Sequence, residues 1–350
     1  MNLLYKELIS AAQTAYAQLA DAALTTDHMR TVADLSGSFS SKTIKGHKYW
    51  YYQYSEPSGK LKQIFVGPDN AAVRSLIELK GQPGAAHNLA PLAGSAVALG
   101  CADVLPKHLR VIRRLSEYGF FRAGGVLIGT HAFLAYGNML GVQWGDSSRT
   151  QDIDFAHAGK SVALALPSNI EVQTHAAIES LQMGFLPISG LTDKSGATYL
   201  APRDPGFRLD FLTTLHRGGE EKYEHPKLHV TLQPLKFMEY SLVQVQQAVL
   251  FNAEGAVVVN VPHPARYALH KLIVYGEREG AFSSKSGKDL IQAASLLQYF
   301  KENRTWEVQE AYGDLMGRGK GWVSRFERGL AAIEKTYPKL EVRGWLTKNS

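Results

Sequence analysis

The sequence predicts a mixed α/β fold of the α+β kind, with a small N-terminal helix plus β-meander module, a central core built on a mixed sheet, and a C-terminal helical domain. Three patterns carry this. Residues 38–68 alternate aromatic and β-branched side chains with polar ones, at the period of two that half-buried strands require. Residues 107–233 alternate short apolar strand-like runs with amphipathic helical stretches. From Pro234 onward apolar residues recur mostly at helical spacing.

Taken in order, residues 3–34 read as helical, because Leu4, Leu8, Ala11, Ala15 and Leu19 share a face and no Gly or Pro intervenes before Gly37. The meander follows, with Pro57-Ser58-Gly59 as a hairpin turn. Residues 69–80 read as a helix capped by Asp69 or Asn70. Residues 81–106 are rich in Gly, Ala and Pro and read as a linker or connecting helices. Lys107 to Tyr118 is an amphipathic helix stopped by Gly119. Phe120 to Ile128 is a strand, His131 to Leu140 a helix, 144–151 a polar loop and Ile153 to Ala156 a short strand. Beyond Pro234, helices are predicted at Leu235 to Leu250, Pro264 to Glu279, Lys288 to Asn303 and from Thr305 on, interrupted by a strand at Ala256 to Val261. The expected divisions are 1–80, 81–106, 107–233 and 234–350.

Composition narrows the function classes. The chain has 350 residues, 45% of them hydrophobic, enough for a packed core and against wholesale disorder. Its one cysteine, Cys101, excludes an internal disulfide framework and a cysteine-based zinc cluster. No apolar run approaches the ~20 residues that cross a bilayer, and the first nineteen residues lack the basic-then-apolar order of a secretory signal. A cytoplasmic protein without a membrane partner is therefore expected. The formal charge of +6 permits an anionic partner without demanding one.

The chemistry concentrates between residues 126 and 155. An apolar strand ends in Ile128-Gly129-Thr130, a helix follows, and a polar loop leads into Asp152-Ile153-Asp154-Phe155. Alternate side chains of a strand share a face, so Asp152 and Asp154 point one way and Ile153 and Phe155 the other. Two carboxylates held together repel unless a cation lies between them, and a hard divalent ion suits an all-oxygen pair. Asp210, in the alternating run Phe207-Arg208-Leu209-Asp210-Phe211-Leu212, is a third acid inside an apolar strand, where a carboxylate must be paired, metal-bound or catalytic. Gly129 would allow close backbone approach to a phosphate, and Thr130 with the following helix amides would supply donors. Singly, an Asp-x-Asp is usually a solvated loop and a Gly-Thr before a helix is commonplace; the ordered combination carries the weight.

These residues resemble the pattern of the polymerase-β-like nucleotidyltransferase superfamily, in which a glycine and a small residue at a strand-to-helix turn precede Asp-x-Asp and a later acid. Thr130 stands where Gly or Ser is usual. Arg149-Thr150-Gln151-Asp152, the helix from Pro264 to Lys271, Arg278 and Lys288-Asp289 are similar to segments of the type IV abortive-infection nucleotidyltransferase toxins and of a bacterial family described only by its nucleotidyltransferase fold. The resemblance implies a nucleotidyltransferase palm that moves an NMP from an NTP to an acceptor hydroxyl with release of pyrophosphate. It implies Mg²⁺ or Mn²⁺ at Asp152, Asp154 and Asp210, with Asp210 as general base. It also implies nucleotide contacts at Gly129, Thr130, Arg149, Lys271, Arg278 and Asp289. Asp289 is readable as a helix-start acid, as the partner that orients Lys271 or as a catalytic group, and Arg278 as a phosphate clamp or a surface residue. The acceptor stays open between RNA, such as a tRNA end, and protein; a toxin role with an antitoxin partner rests on the resemblance alone. The alternatives are a non-catalytic nucleotide- or RNA-binding protein on the same fold and a metal-dependent nuclease.

Two basic regions remain. Lys42, Lys45, His47, Lys48, Lys60 and Lys62 interleave with Tyr49, Trp50, Tyr51, Tyr52 and Tyr54, a composition suited to nucleic acid or to a small sheet with lysine-blunted edges. The stretch from Gly317 holds eight Lys/Arg against three acids and suits RNA binding or the solvated face of a terminal helix, the second being preferred. His131 reads as a local cap or phosphate contact, and His270 as a packing residue.

Overall fold

The computed structural model describes residues 4–28, 37–55, 61–81, 89–145, 152–157, 172–188, 197–215, 223–278 and 283–347. The chain opens with strand β1 (Tyr5–Glu7) and helix α1 (Ser10–His28). The meander follows as β2 (Ser38–Ile44), β3 (His47–Ser55) and β4 (Leu61–Pro68), then α2 (Ala71–Gly81). Next come α3 (Leu89–Ala98), α4 (Pro106–Glu117), β5 (Val126–Ile128), α5 (Gly129–Leu140), β6 (Val142–Trp144) and β7 (Ile153–His157). The core continues through α6 (Thr174–Ser180), β8 (Leu186–Pro187), β9 (Thr198–Ala201), β10 (Asp204–Thr214), β11 (Tyr223–His225) and β12 (Val230–Leu235). The rest comprises α7 (Met238–Leu242), β13 (Val245–Asn252), β14 (Gly255–Pro262), α8 (Pro264–Glu277), α9 (Ser283–Asn303), α10 (Thr305–Gly317), α11 (Lys320–Thr336) and α12 (Val342–Leu346).

The central sheet is mixed, in the order β11-β12-β10-β7-β5. β10 runs parallel to β7 and to β12, β5 and β7 are antiparallel, and β9 pairs antiparallel with the first half of β10. The two faces of β7 and β10 differ because their residues alternate. Ile153, Phe155, Leu209 and Phe211 are fully buried, with the Phe155 and Phe211 rings stacked 5.1 Å apart. The opposite face is apolar at one end, where Val126, Ala156 and Leu212 pack under Met238 and Leu242, and acidic at the other.

Helix α8 packs on α9 and α11. The α8–α11 crossing is close enough that a Cβ at Gly276 would stand 2.0 Å from the Arg325 carbonyl oxygen, and one at Gly329 2.2 Å from that of Leu272. Glycine at both positions lets the two backbones touch, which fixes the helix carrying Lys271.

Several expected elements differ. Residues 5–7 pair antiparallel with β6 instead of extending the first helix. Only residues 126–128 of the predicted strand at 120–128 are extended, because the chain turns from Gly119 to Gly124. The helix predicted from Leu235 to Leu250 splits into the end of β12, the short helix α7 and strand β13. Residues 245–252 form a hairpin with β14 in continuous register, Val245 opposite Pro262 and Asn252 opposite Gly255, and Glu254 N–H donates to Asn252 Oδ1 across the turn. Asn70 does cap α2, its Oδ1 accepting from Val73 N–H at 3.0 Å. The turn expected at 57–59 lies outside the described residues. Among the described residues no helix is long and apolar enough to cross a membrane.

Candidate active site

Register brings the acids together. β10 pairs with β7 so that Asp210 lies directly opposite Asp154, while Ile128 of β5 pairs Asp154 on its other side. Asp152, one residue before β7, shares their face. Gly129 follows Ile128 with φ +63°, the left-handed region that favours glycine, and a Cβ there would fall 2.2 Å from Asp154 Oδ2. The missing side chain is thus the space the Asp154 carboxylate occupies.

This crowding has an electrostatic signature. The Asp154 carboxyl is pushed up to about 6, first by burial and then by the charge of Asp210; Asp152 adds to the rise, while Lys271 and Arg208 oppose it. Arg208 lies two residues before Asp210 and so on the same strand face. Its Nε donates to Asp210 Oδ2 at 2.9 Å and its Nη2 to Asp152 Oδ2 at 3.4 Å. Thr198 Oγ1 donates to the other Asp210 oxygen at 2.7 Å. Among the described residues no group of three His, Cys, Asp or Glu side chains is placed to hold a metal ion; the Arg208 guanidinium spans Asp152 and Asp210 instead. The donor set is nonetheless all carboxylate oxygen on one face with one acid driven toward its neutral form, which is the chemistry a hard divalent cation fits.

The facing wall is cationic. On α8, Lys271 Nζ donates to Asp289 Oδ1 of α9 at 2.6 Å, and Arg278 pairs with the other oxygen of the same carboxylate. Asp289 is 7% exposed and Lys271 15%, so this pairing is interior. Of the three readings of Asp289, the contact formed is the one with Lys271. Lys288 also belongs here. Its ammonium is held below its ordinary value, mainly by burial and then by Lys271, against the pull of Asp152, Asp154 and Asp289. The start of α5 is tied to α8 and α9, since Tyr267 Oη lies 2.9 Å from the Gly129 carbonyl oxygen and 2.8 Å from Gln292 Oε1. Gln292 Nε2 lies 3.4 Å from the buried Thr130 hydroxyl.

Of the residues singled out from sequence, Asp152, Asp154, Asp210 and Gly129 meet in one place. Lys271, Arg278 and Asp289 form one network whose Lys271 reaches Asp154 electrostatically. Arg149 lies outside the described residues. His131 is buried against His108, ring nitrogens 3.0 Å apart, and turns to the core; His270 is buried, as read. Sequence reasoning assigned no role to Arg208, Lys288 or Tyr267. The Arg208–Asp210 spacing of two, which puts both on one strand face, was the available signal for the first; the others depend on how α8 and α9 pack.

The sequence model of a nucleotidyltransferase family matches residues 107–317, the span that holds every element just described. The chain belongs to this nucleotidyltransferase family. Most of the chain thus falls under the family match, while β1, α1, the meander and α3 precede it. No curated protein sequence matches the chain closely enough to count as a relative. A distant similarity joins it to the crystal structure of an antigenic nucleotidyltransferase-like protein from Paracoccidioides brasiliensis, 14% identical over 70% of this chain and 94% of that one, with a TM-score of 0.34.

Proposed function

We propose that this nucleotidyltransferase transfers an NMP from an NTP to an acceptor hydroxyl, releases pyrophosphate and depends on Mg²⁺ or Mn²⁺. The observation that carries the reading is the β7–β10 register, which sets Asp154 against Asp210 beside Asp152 and opposite Lys271 and Lys288.

Asp152, Asp154 and Asp210 would hold the cation, which when bound neutralises the acids and the triphosphate oxygens. The protein's own groups then divide the work. The first amides of α5 would meet the triphosphate, with the positive end of a twelve-residue helix behind them, and Thr130, buried beside Gln292, holds that turn. Lys271 and Lys288 offset the charge that develops on the departing pyrophosphate, and Arg278 is a second clamp from the same wall. Asp289 keeps Lys271 aimed through its Oδ1. The acceptor oxygen bonds to the α-phosphorus, the bond from that phosphorus to the α,β-bridging oxygen breaks, and the acceptor proton passes to Asp210. Arg208 and Thr198 fix the Asp210 carboxylate for that transfer. The arrangement works by position and charge and needs no covalent protein intermediate.

Isothermal titration of each NTP with and without Mg²⁺, paired with a pyrophosphate-release assay on total RNA and protein acceptors, tests the reading. Saturable Mg²⁺-dependent NTP binding and pyrophosphate release, both lost in Asp152→Asn/Asp154→Asn, are expected. Equal release by that variant would defeat it. The resemblance to toxins extends the proposal to a growth-arresting enzyme neutralised by a partner; expression of the wild type, and not of the double variant, should then slow growth.

A further inference from the structure

The module of β2, β3, β4 and α2 contributes nothing to the acid site, yet its sheet has one finished face and one unfinished one. On the finished face Tyr52 is fully buried, Phe39 meets its ring edge-on at 5.1 Å and Lys80 of α2 stands over it, Nζ 5.6 Å from the ring centre. The other face follows from the register: Ser40 and Lys42 from β2, Tyr49, Tyr51 and Gln53 from β3, Gln63 and Phe65 from β4. Here Phe65 is 56% exposed, with its ring 5.6 Å from Tyr51 and 6.1 Å from Tyr49. Lys42 Nζ stands 4.8 Å over the Tyr51 ring and donates to Gln63 Oε1 at 2.7 Å, and Gln63 Nε2 donates to Gln53 Oε1 at 3.2 Å. An aromatic row with Phe65 exposed and Tyr49 and Tyr51 half-buried beside it marks a contact surface.

We propose that this face binds single-stranded RNA. Charge selects a polyanion: residues 37–81 hold seven Lys/Arg and three acids, so +4 of the chain's +6 sits in this segment. One of those acids, Asp69, is already engaged by Arg74 and by the Trp50 indole. The aromatic row selects an unpaired strand, because bases stacked inside a duplex present no ring face to Tyr51 or Phe65. The Gln53 and Gln63 amides, donors and acceptors beside the rings, match the 2′-hydroxyl that distinguishes RNA from DNA. Lys42 lies on the platform and Lys45 at the β2–β3 turn beside it, where a phosphate backbone would pass.

The test is fluorescence anisotropy of the full-length protein with a labelled single-stranded RNA of mixed sequence, without NTP or divalent cation, so that its outcome is independent of the acid site. Duplex RNA and single-stranded DNA of the same sequence serve as competitors. Saturable binding is expected, with the single-stranded RNA preferred over both. Phe65→Ala should weaken it about tenfold, the scale of one lost base–aromatic stack. Lys42→Gln should lower the salt dependence by roughly 0.7 in log–log slope, the share of one phosphate contact on a single strand. Both side chains are exposed, and unchanged thermal melts would confirm that the variants fold. No saturable RNA binding, equal or tighter binding of duplex or DNA, wild-type affinity in Phe65→Ala, or self-association through this face in sedimentation would each overturn the proposal.

Discussion

Replacing Gly129 by alanine imposes two separable costs on the folded state. The backbone there has φ +63°, a conformation that costs an L-residue ~1–2 kcal/mol. The added Cβ would also stand 2.2 Å from Asp154 Oδ2 and 3.1 Å from its Cγ, forcing the carboxylate out of its seat at an overpacking cost of ~1–3 kcal/mol. Gly129→Ala should therefore destabilise the protein by about 3 kcal/mol. Asp154→Ala should act the other way. Lifting a carboxyl from 3.8 to about 6 costs the folded state about 3 kcal/mol once it is charged. The sign follows from proton counts: between those values the folded chain holds a proton that the unfolded chain has released, so stability falls as pH rises, and the full cost is present above pH 6. Removing the carboxyl at pH 8 in a chelator should leave a net gain of about 1–2 kcal/mol after the lost packing. In that background Gly129→Ala keeps only its backbone cost. Urea denaturation of the four proteins of the cycle gives a coupling of about 1–2 kcal/mol on this reasoning. An equal penalty for Gly129→Ala in both backgrounds would refute the idea that the glycine makes room for the acid.

Gly329→Ala should lower stability by about 1–3 kcal/mol, since its Cβ would meet Leu272 backbone that cannot rotate away; a thermal melt unchanged from wild type would contradict the close α8–α11 contact. Asp289→Asn removes the shared partner of Lys271 and Arg278, so it should destabilise by about 3 kcal/mol and raise KM for NTP more than it lowers kcat, measured by chemical denaturation and steady-state kinetics. Burial holds His225 at about 4 and His270 at about 3, and holds His108 and His131 below their ordinary 6.5. From about pH 6.5 down to about 4 the unfolded chain takes up protons that these rings refuse, so stability should fall on acidification by up to about 1.4 kcal/mol per pH unit for each ring. Asp154 contributes the opposite slope. Urea midpoints that stay level from pH 7.5 to 5 would contradict this.

The acid site was legible because its logic is local. Period two puts Asp152 with Asp154 and isolates Asp210 among Leu209, Phe211 and Leu212, and the strand faces in the structure follow that alternation. The meander was legible for the same reason, its aromatic residues alternating between faces. Residues 245–252 were misread because Val-Gln-Gln-Ala-Val-Leu-Phe suits a helix as well as a strand, and only pairing with residues 255–262 decides. The three-residue strand at Tyr5–Glu7 has too few residues for any period to show. The cationic wall was half legible: Lys271, Arg278 and Asp289 could each be singled out, but their meeting depends on the α8–α9 packing, which no local pattern encodes.

The most direct test of the account follows the phosphorus. An NTP labelled at the α-phosphate, and in parallel the same NTP labelled at the γ-phosphate, is incubated with the protein, Mg²⁺, total RNA and cell lysate, and the macromolecules are separated before and after nuclease or protease. Nucleotidyl transfer predicts that the α-label becomes attached to an acceptor while the γ-label leaves as pyrophosphate, and that Asp152→Asn/Asp154→Asn abolishes the attachment. Attachment of the γ-label, or α-label attached equally by the double variant, would contradict the assignment of the chemistry to Asp152, Asp154 and Asp210.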